Sequence, residues 1–86
     1  MATSNGRRVL VADDDAGLAT LIQRHLRREG LDTASVQTGA DAIDWLTDNH
    51  ADLMLLDLKL PDMTGQDLID RLKERGRLIP FIVITG

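Results

Sequence analysis

Acidic residues stand where apolar runs end. Asp13, Asp14 and Asp15 follow Val9-Leu-Val-Ala12, and Asp57 follows Leu53-Met-Leu-Leu56. If these runs are strands of one parallel sheet, Asp13, Asp14 and Asp57 converge on a single edge, joined there by Thr85 and Gly86 after a later run. Like charges 4 Å apart repel by about 4 kcal/mol at an effective dielectric of 20. Three gathered carboxylates therefore need a cation or must stay partly protonated. A bound divalent ion is the simpler solution, and an all-oxygen ligand set selects a hard one such as magnesium. A carboxylate can also attack phosphorus to form an acyl phosphate, with the ion offsetting charge on the transferring group. Asp57 suits that role, and the Thr85 hydroxyl suits a hydrogen bond to a phosphoryl oxygen.

Plainer roles exist for each residue. Asp15, and with it Asp13 and Asp14, could cap a following helix. Pro61 and Gly65 could serve only the backbone geometry of a turn after Asp57, and Thr85 could be an ordinary β-branched strand residue. A sheet gains nothing, however, from crowding carboxylates on one edge, which favours the chemical reading of Asp13, Asp14 and Asp57. His25 and His50 fall on different helices with no partner at ligand spacing and read as surface or boundary residues.

The elements that must position these groups follow from the hydrophobic rhythm. Arg7 to Ala12 reads as a first strand, covered on both faces. Leu18, Leu21, Ile22 and Leu26 mark one face of a helix from Ala16 to Glu29, with Arg24, Arg27 and Arg28 on its wet side and Gly30 as a left-handed stop. Asp32 to Gln37 alternates as an edge strand, and Thr38-Gly39 leads into a helix through Ala42, Ile43 and Leu46, with Trp45 packed beside that stripe. Leu53 to Leu56 reads as a central strand ending at Asp57. Leu68, Ile69 and Leu72 mark a third helix stopped at Gly76, and Ile79 to Ile84 a fourth strand. The order β-α-β-α-β-α-β predicts an α/β fold: an open, doubly wound parallel sheet with right-handed crossovers, whose ligands sit beyond the carboxyl ends of the strands where strand order reverses.

Three separated segments, Val9-Leu-Val-Ala-Asp-Asp-Asp15, Asp57-Leu-Lys-Leu-Pro-Asp-Met-Thr-Gly65 and Ile82-Val-Ile-Thr-Gly86, resemble the receiver domains of two-component response regulators. The resemblance covers residues 7–86 and implies a flavodoxin-like sheet. It implies that Asp57 is the phosphoacceptor, that Asp13 and Asp14 hold magnesium together with Asp57 and the backbone carbonyl of Lys59, and that Thr85 is the switch hydroxyl. It further implies a cytoplasmic signalling module rather than a turnover enzyme, phosphorylated by a sensor histidine kinase or a phosphotransfer protein. Receivers continue with a further helix, a fifth strand ending in a Lys and a final helix, and this sequence holds none of these. The expectation is thus a truncated, four-stranded receiver whose exposed fourth strand pairs with another copy or with the rest of a longer protein. Two alternatives are a phosphorylation-independent interaction or oligomerisation fragment, and a phosphatase of the haloacid-dehalogenase type. The second wants an Asp two residues after the nucleophile, where this chain has Lys59.

Composition narrows the rest. With 86 residues the chain admits one domain, and 43% hydrophobic and 28% charged residues are the balance of a globular protein with a packed core. Residues 1–6 are small and polar and read as a loose N-terminal tail. The net charge of −4 argues against a sequence-independent grip on nucleic acid. The absence of cysteine excludes disulfides and thiolate metal sites. The longest apolar stretch, Ile79 to Ile84, falls far short of the ~20 residues that span a bilayer.

Overall fold

The computed structural model describes residues 6–84. Its elements alternate along the chain: β1 (Arg8–Ala12), α1 (Ala16–Arg28), β2 (Asp32–Val36), α2 (Gly39–Asp48), β3 (Leu53–Asp57), α3 (Gly65–Glu74) and β4 (Phe81–Ile84). The strands are all parallel, in the order β2-β1-β3-β4. This is the expected doubly wound sheet, with β2 at one edge and β3 inside. The direction of winding reverses between β1 and β3, since the chain steps from β1 outward to β2 and then returns past β1 to add β3 and β4 on the other side.

Strand side chains alternate between faces, and the two faces are filled unequally. Leu10, Ala12, Met54 and Leu56 point to one face and bury against Ala42, Ile43 and Leu46 of α2 and Leu68, Ile69 and Leu72 of α3. Leu10, Met54, Leu56, Leu68 and Leu72 are fully buried there, each contributing roughly 1.5–3 kcal/mol relative to exposure. On the other face α1 lies over β1 and β2, where Val9, Val11 and Ala19 are buried. Leu53 and Leu55 on that face are only half-buried.

Two sequence expectations shift at this point. The apolar stripe of α1 is not closed over: Leu21 is 60% exposed, Leu18 is at the margin of exposure, and only Ala19 of this helix is buried. The helix packs chiefly on β2 and β1, and that surface does not cover the whole stripe. The fourth strand begins at Phe81 rather than Ile79, because Pro80 has no N–H to give the ladder. Its carbonyl instead accepts the Met54 N–H at 2.9 Å, opening the β3–β4 pairing. Gly30 and Gly76 stop α1 and α3 with positive φ angles of 86° and 66°, as their positions predict.

Candidate functional site

The site grows out of strand register. Ala12 of β1 pairs with Leu56 of β3, so the residues that follow, Asp13 and Asp57, emerge side by side at the switch point. Asp57 is also in register with Ile84, the last described residue of β4. Thr85, the expected switch hydroxyl, and Gly86 lie outside the described residues.

Asp13, Asp14 and Asp57 each bring a carboxylate oxygen within 4.8 Å of the others. Their surroundings differ. Asp13 is 3% exposed, and its N–H is tied to the Val36 carbonyl of β2 at 3.1 Å. Its Oδ1 accepts the Asp15 N–H at 2.9 Å. Burial pushes the Asp13 carboxyl above its ordinary pKa; the Asp15 N–H pulls the other way, and the neighbouring Asp57 and Asp14 carboxylates add to the rise. Asp14 is exposed and Asp57 half-buried. Asp15 faces elsewhere and caps α1, its Oδ1 accepting the Leu18 N–H at 3.0 Å. The acidic run thus divides into two carboxylates at the sheet edge and one helix cap.

Asp57 is held by the loop that follows it. Its Oδ1 accepts the N–H of Lys59 at 3.0 Å, which fixes the rotation of the carboxylate and leaves the other oxygen available. The base of the loop is closed by the Gly65 N–H on the Leu58 carbonyl at 2.8 Å and by an antiparallel bridge between Lys59 and Thr64. Gly65 is required by this close approach: a Cβ there would come within 2.9 Å of Leu58 Cδ2 and 3.0 Å of Leu58 Cα. Thr64 then starts α3 through a reciprocal capping box with Asp67.

One contact was not visible in the sequence. Asp62, at the loop tip, accepts the N–H groups of Gly39 and Ala40 at 2.8 and 2.9 Å, one on each carboxylate oxygen. Those backbone hydrogen bonds lower its pKa. With Thr38 Oγ1 taking the Asp41 N–H at 3.0 Å, the first turn of α2 is fully satisfied. The partners are 22 and 23 residues apart in sequence, beyond the reach of any local capping pattern.

The donor set fits a hard divalent cation, being made only of carboxylate oxygens clustered closely enough to share one ion. The remaining site expectations sort simply. Lys59 lies beside the cluster, bonded to Asp57. His25 and His50 are exposed and not part of it, His50 contacting Asp52 at 3.2 Å. Trp45 is half-buried against the α2–α3 core, with the Arg8 guanidinium 5.9 Å from its ring centre. An open groove of about 570 Å³ lined by Ser35, Gln37, Asp41, Trp45 and Asp48 runs between β2 and α2, and none of Asp13, Asp14 and Asp57 lines it. No helix among the described residues is long and apolar enough to cross a membrane.

Comparison with known proteins agrees with this architecture. The family model described as the response regulator receiver domain matches residues 9–86. The regulatory protein LuxO of Vibrio vulnificus is 43% identical over 76 residues, covering 88% of this chain and 17% of LuxO. The DNA-binding response regulator MtrA of Mycobacterium leprae is 40% identical over 80 residues, covering 93% of this chain and 35% of MtrA. The chain therefore spans between about a sixth and a third of the length of these curated relatives. Among solved structures, the signal receiver domain of a LuxO repressor protein from Vibrio parahaemolyticus superposes with a TM-score of 0.85 at 37% identity, over 92% of this chain and 61% of that one. The MaeR response regulator bound to beryllium trifluoride superposes with a TM-score of 0.84 at 30% identity, over 93% of this chain and 67% of that one.

Proposed function

The chain belongs to the response regulator receiver domain family of two-component systems, and on that premise we propose that Asp57 accepts a phosphoryl group in a magnesium-dependent reaction. The donor is a phosphohistidine of a sensor histidine kinase or phosphotransfer protein. The observation that carries this reading is the convergence of Asp13, Asp14 and Asp57 within 4.8 Å at the strand-order reversal. Receiver domains are signalling domains, and the reaction is a modification of the protein itself rather than turnover of a substrate.

In this mechanism the carboxylate oxygen of Asp57 not engaged by the Lys59 N–H attacks phosphorus. A new P–O bond forms, the P–N bond of the donor breaks, and the imidazole nitrogen leaves with the electron pair. Asp13, Asp14, Asp57 and the Lys59 carbonyl would hold a magnesium ion, whose charge, when bound, opposes the negative charge on the transferring oxygens. Asp13 fixes the cluster to the sheet through its contacts with Val36 and Asp15. Lys59 orients the nucleophile through its N–H. Thr85, next in sequence after Ile84, is proposed as the hydroxyl that senses the phosphoryl group. Residues 7–86 form the receiver portion and 1–6 a tail, acting in the cytoplasm. The net charge of −4 lends no support to nucleic-acid binding by this domain. Labelling by acetyl phosphate with magnesium, and its loss in Asp57→Asn, tests the assignment.

A second reading, self-association independent of phosphorylation, is favoured by β4. Phe81, Ile82 and Val83 are 36%, 54% and 41% exposed on a strand whose outer flank has no partner among the described residues, a template for a strand of a second copy. Light scattering tests it: a concentration-dependent dimer abolished by Ile82→Lys supports pairing, and a monomer at all concentrations opposes it.

A further inference from the structure

We propose that Asp62 is a positioning residue for the metal and phosphoacceptor site, acting by locking the 58–64 loop to the N-terminus of α2. The inference rests on the magnesium-dependent reading of Asp57 and concerns how that site is held in shape.

The loop has three kinds of restraint. Its base is closed on itself by the Gly65 N–H to Leu58 carbonyl bond and the Lys59–Thr64 bridge. Leu60 sinks into the core, 8% exposed. Burial of a leucine resists extraction, but it is non-directional and does little to fix the turn of the backbone around it. The base bonds are directional but act at the foot of the loop; the directional restraint on its tip comes from Asp62, whose two carboxylate oxygens each take one N–H from α2, at 2.8 and 2.9 Å. A two-point, charge-assisted contact of this kind fixes orientation as well as distance. Met63 packs on the same turn: a Cβ on Gly39 would overlap its flexible side chain, which would have to move aside. Lys59 belongs to the base and is followed directly by the buried Leu60. Its N–H aims Asp57 and its carbonyl belongs to the proposed ligand set. A change in loop orientation therefore moves both the nucleophile and a ligand.

Capping of α2 alone is the competing explanation for Asp62, and Thr38 separates the two. Thr38 caps the same turn of the same helix through the Asp41 N–H but belongs to the segment after β2, not to the loop. Removing either cap weakens α2; only removal of Asp62 frees the loop.

The test is magnesium titration of the 86-residue chain by calorimetry, comparing the unsubstituted protein with Asp62→Ala, Asp62→Asn and Thr38→Ala. Outer-shell partners of metal ligands typically govern affinity by about 10–100-fold. The expected result is a loss of roughly tenfold or more in Asp62→Ala, an intermediate loss in Asp62→Asn, which keeps one acceptor oxygen, and affinity within twofold of the original in Thr38→Ala. Should Asp62→Ala not fold, Asp62→Asn against Thr38→Ala makes the same comparison. Equal weakening in the Asp62 and Thr38 variants, or unchanged affinity in the Asp62 variants, overturns the positioning role while leaving the metal site intact. Failure of the unsubstituted chain to bind magnesium overturns the metal reading and this inference with it.

Discussion

Asp13 and Asp57 stand beside one another because Ala12 and Leu56, the residues before them, are paired in register on adjacent parallel strands. Residues 44 positions apart are thus brought to the same end of the sheet by a ladder whose own residues are apolar and mostly buried. Asp13 is 3% exposed there, so the fold carries an electrostatic cost at this point that a bound cation would relieve.

That cost has a measurable sign. The pKa of Asp13 is raised in the folded state, first by burial, so its penalty is absent below about pH 3.8, the ordinary aspartate value, and grows as pH rises through the folded value. Without divalent ions, Asp13→Asn should stabilise the chain at neutral pH by about 1 kcal/mol, or roughly 4–8 °C in Tm for a domain of this size. The gain should vanish as pH falls toward 4. Asn retains the oxygen that accepts the Asp15 N–H. Magnesium should reverse the order, stabilising the original protein more than the variant. Thermal melts at several pH values with and without magnesium check this; a variant less stable at neutral pH in metal-free buffer contradicts it.

Gly65 is predicted to tolerate no side chain. A Cβ would press on the Leu58 backbone at 3.0 Å, where rigid main chain must give way. Gly65→Ala should cost about 1–3 kcal/mol, the range for overpacked sites, and should disturb the Lys59 and Asp57 amide resonances beyond the substituted residue. Gly76→Ala is the contrast: nothing lies within 4 Å of its Cβ position, and its φ of 66° makes any cost one of backbone conformation alone. Amide spectra unchanged around Asp57 in Gly65→Ala would show that the loop base is looser than described.

The alternation of strands and helices, the edge and central places of β2 and β3, and the gathering of carboxylates at one end of the sheet were legible in the sequence, because each rests on local patterns: continuous apolar runs for buried strands, helical spacing between them, and acidic residues at run ends. Asp15 as a helix cap was likewise readable from its position before Ala16. What local pattern cannot carry is contact across the sequence. The Asp62 bond to Gly39 and Ala40 depends on how α2 and the β3–α3 loop are brought together by packing, and no spacing rule within either segment signals it. The apolar stripe of α1 was legible but its burial was not, since the rhythm of Leu18 and Leu21 says that a face exists and not how much of it a neighbouring surface covers.

The central claim is that Asp57 is the phosphoacceptor of a magnesium-dependent site. Its most direct measurement is intact-mass analysis of the 86-residue chain after incubation with acetyl phosphate, with magnesium and with a chelator. The account predicts addition of a single phosphoryl group in magnesium, none with the chelator, and none in Asp57→Asn under either condition. Labelling that survives Asp57→Asn, or that proceeds equally well without magnesium, contradicts it.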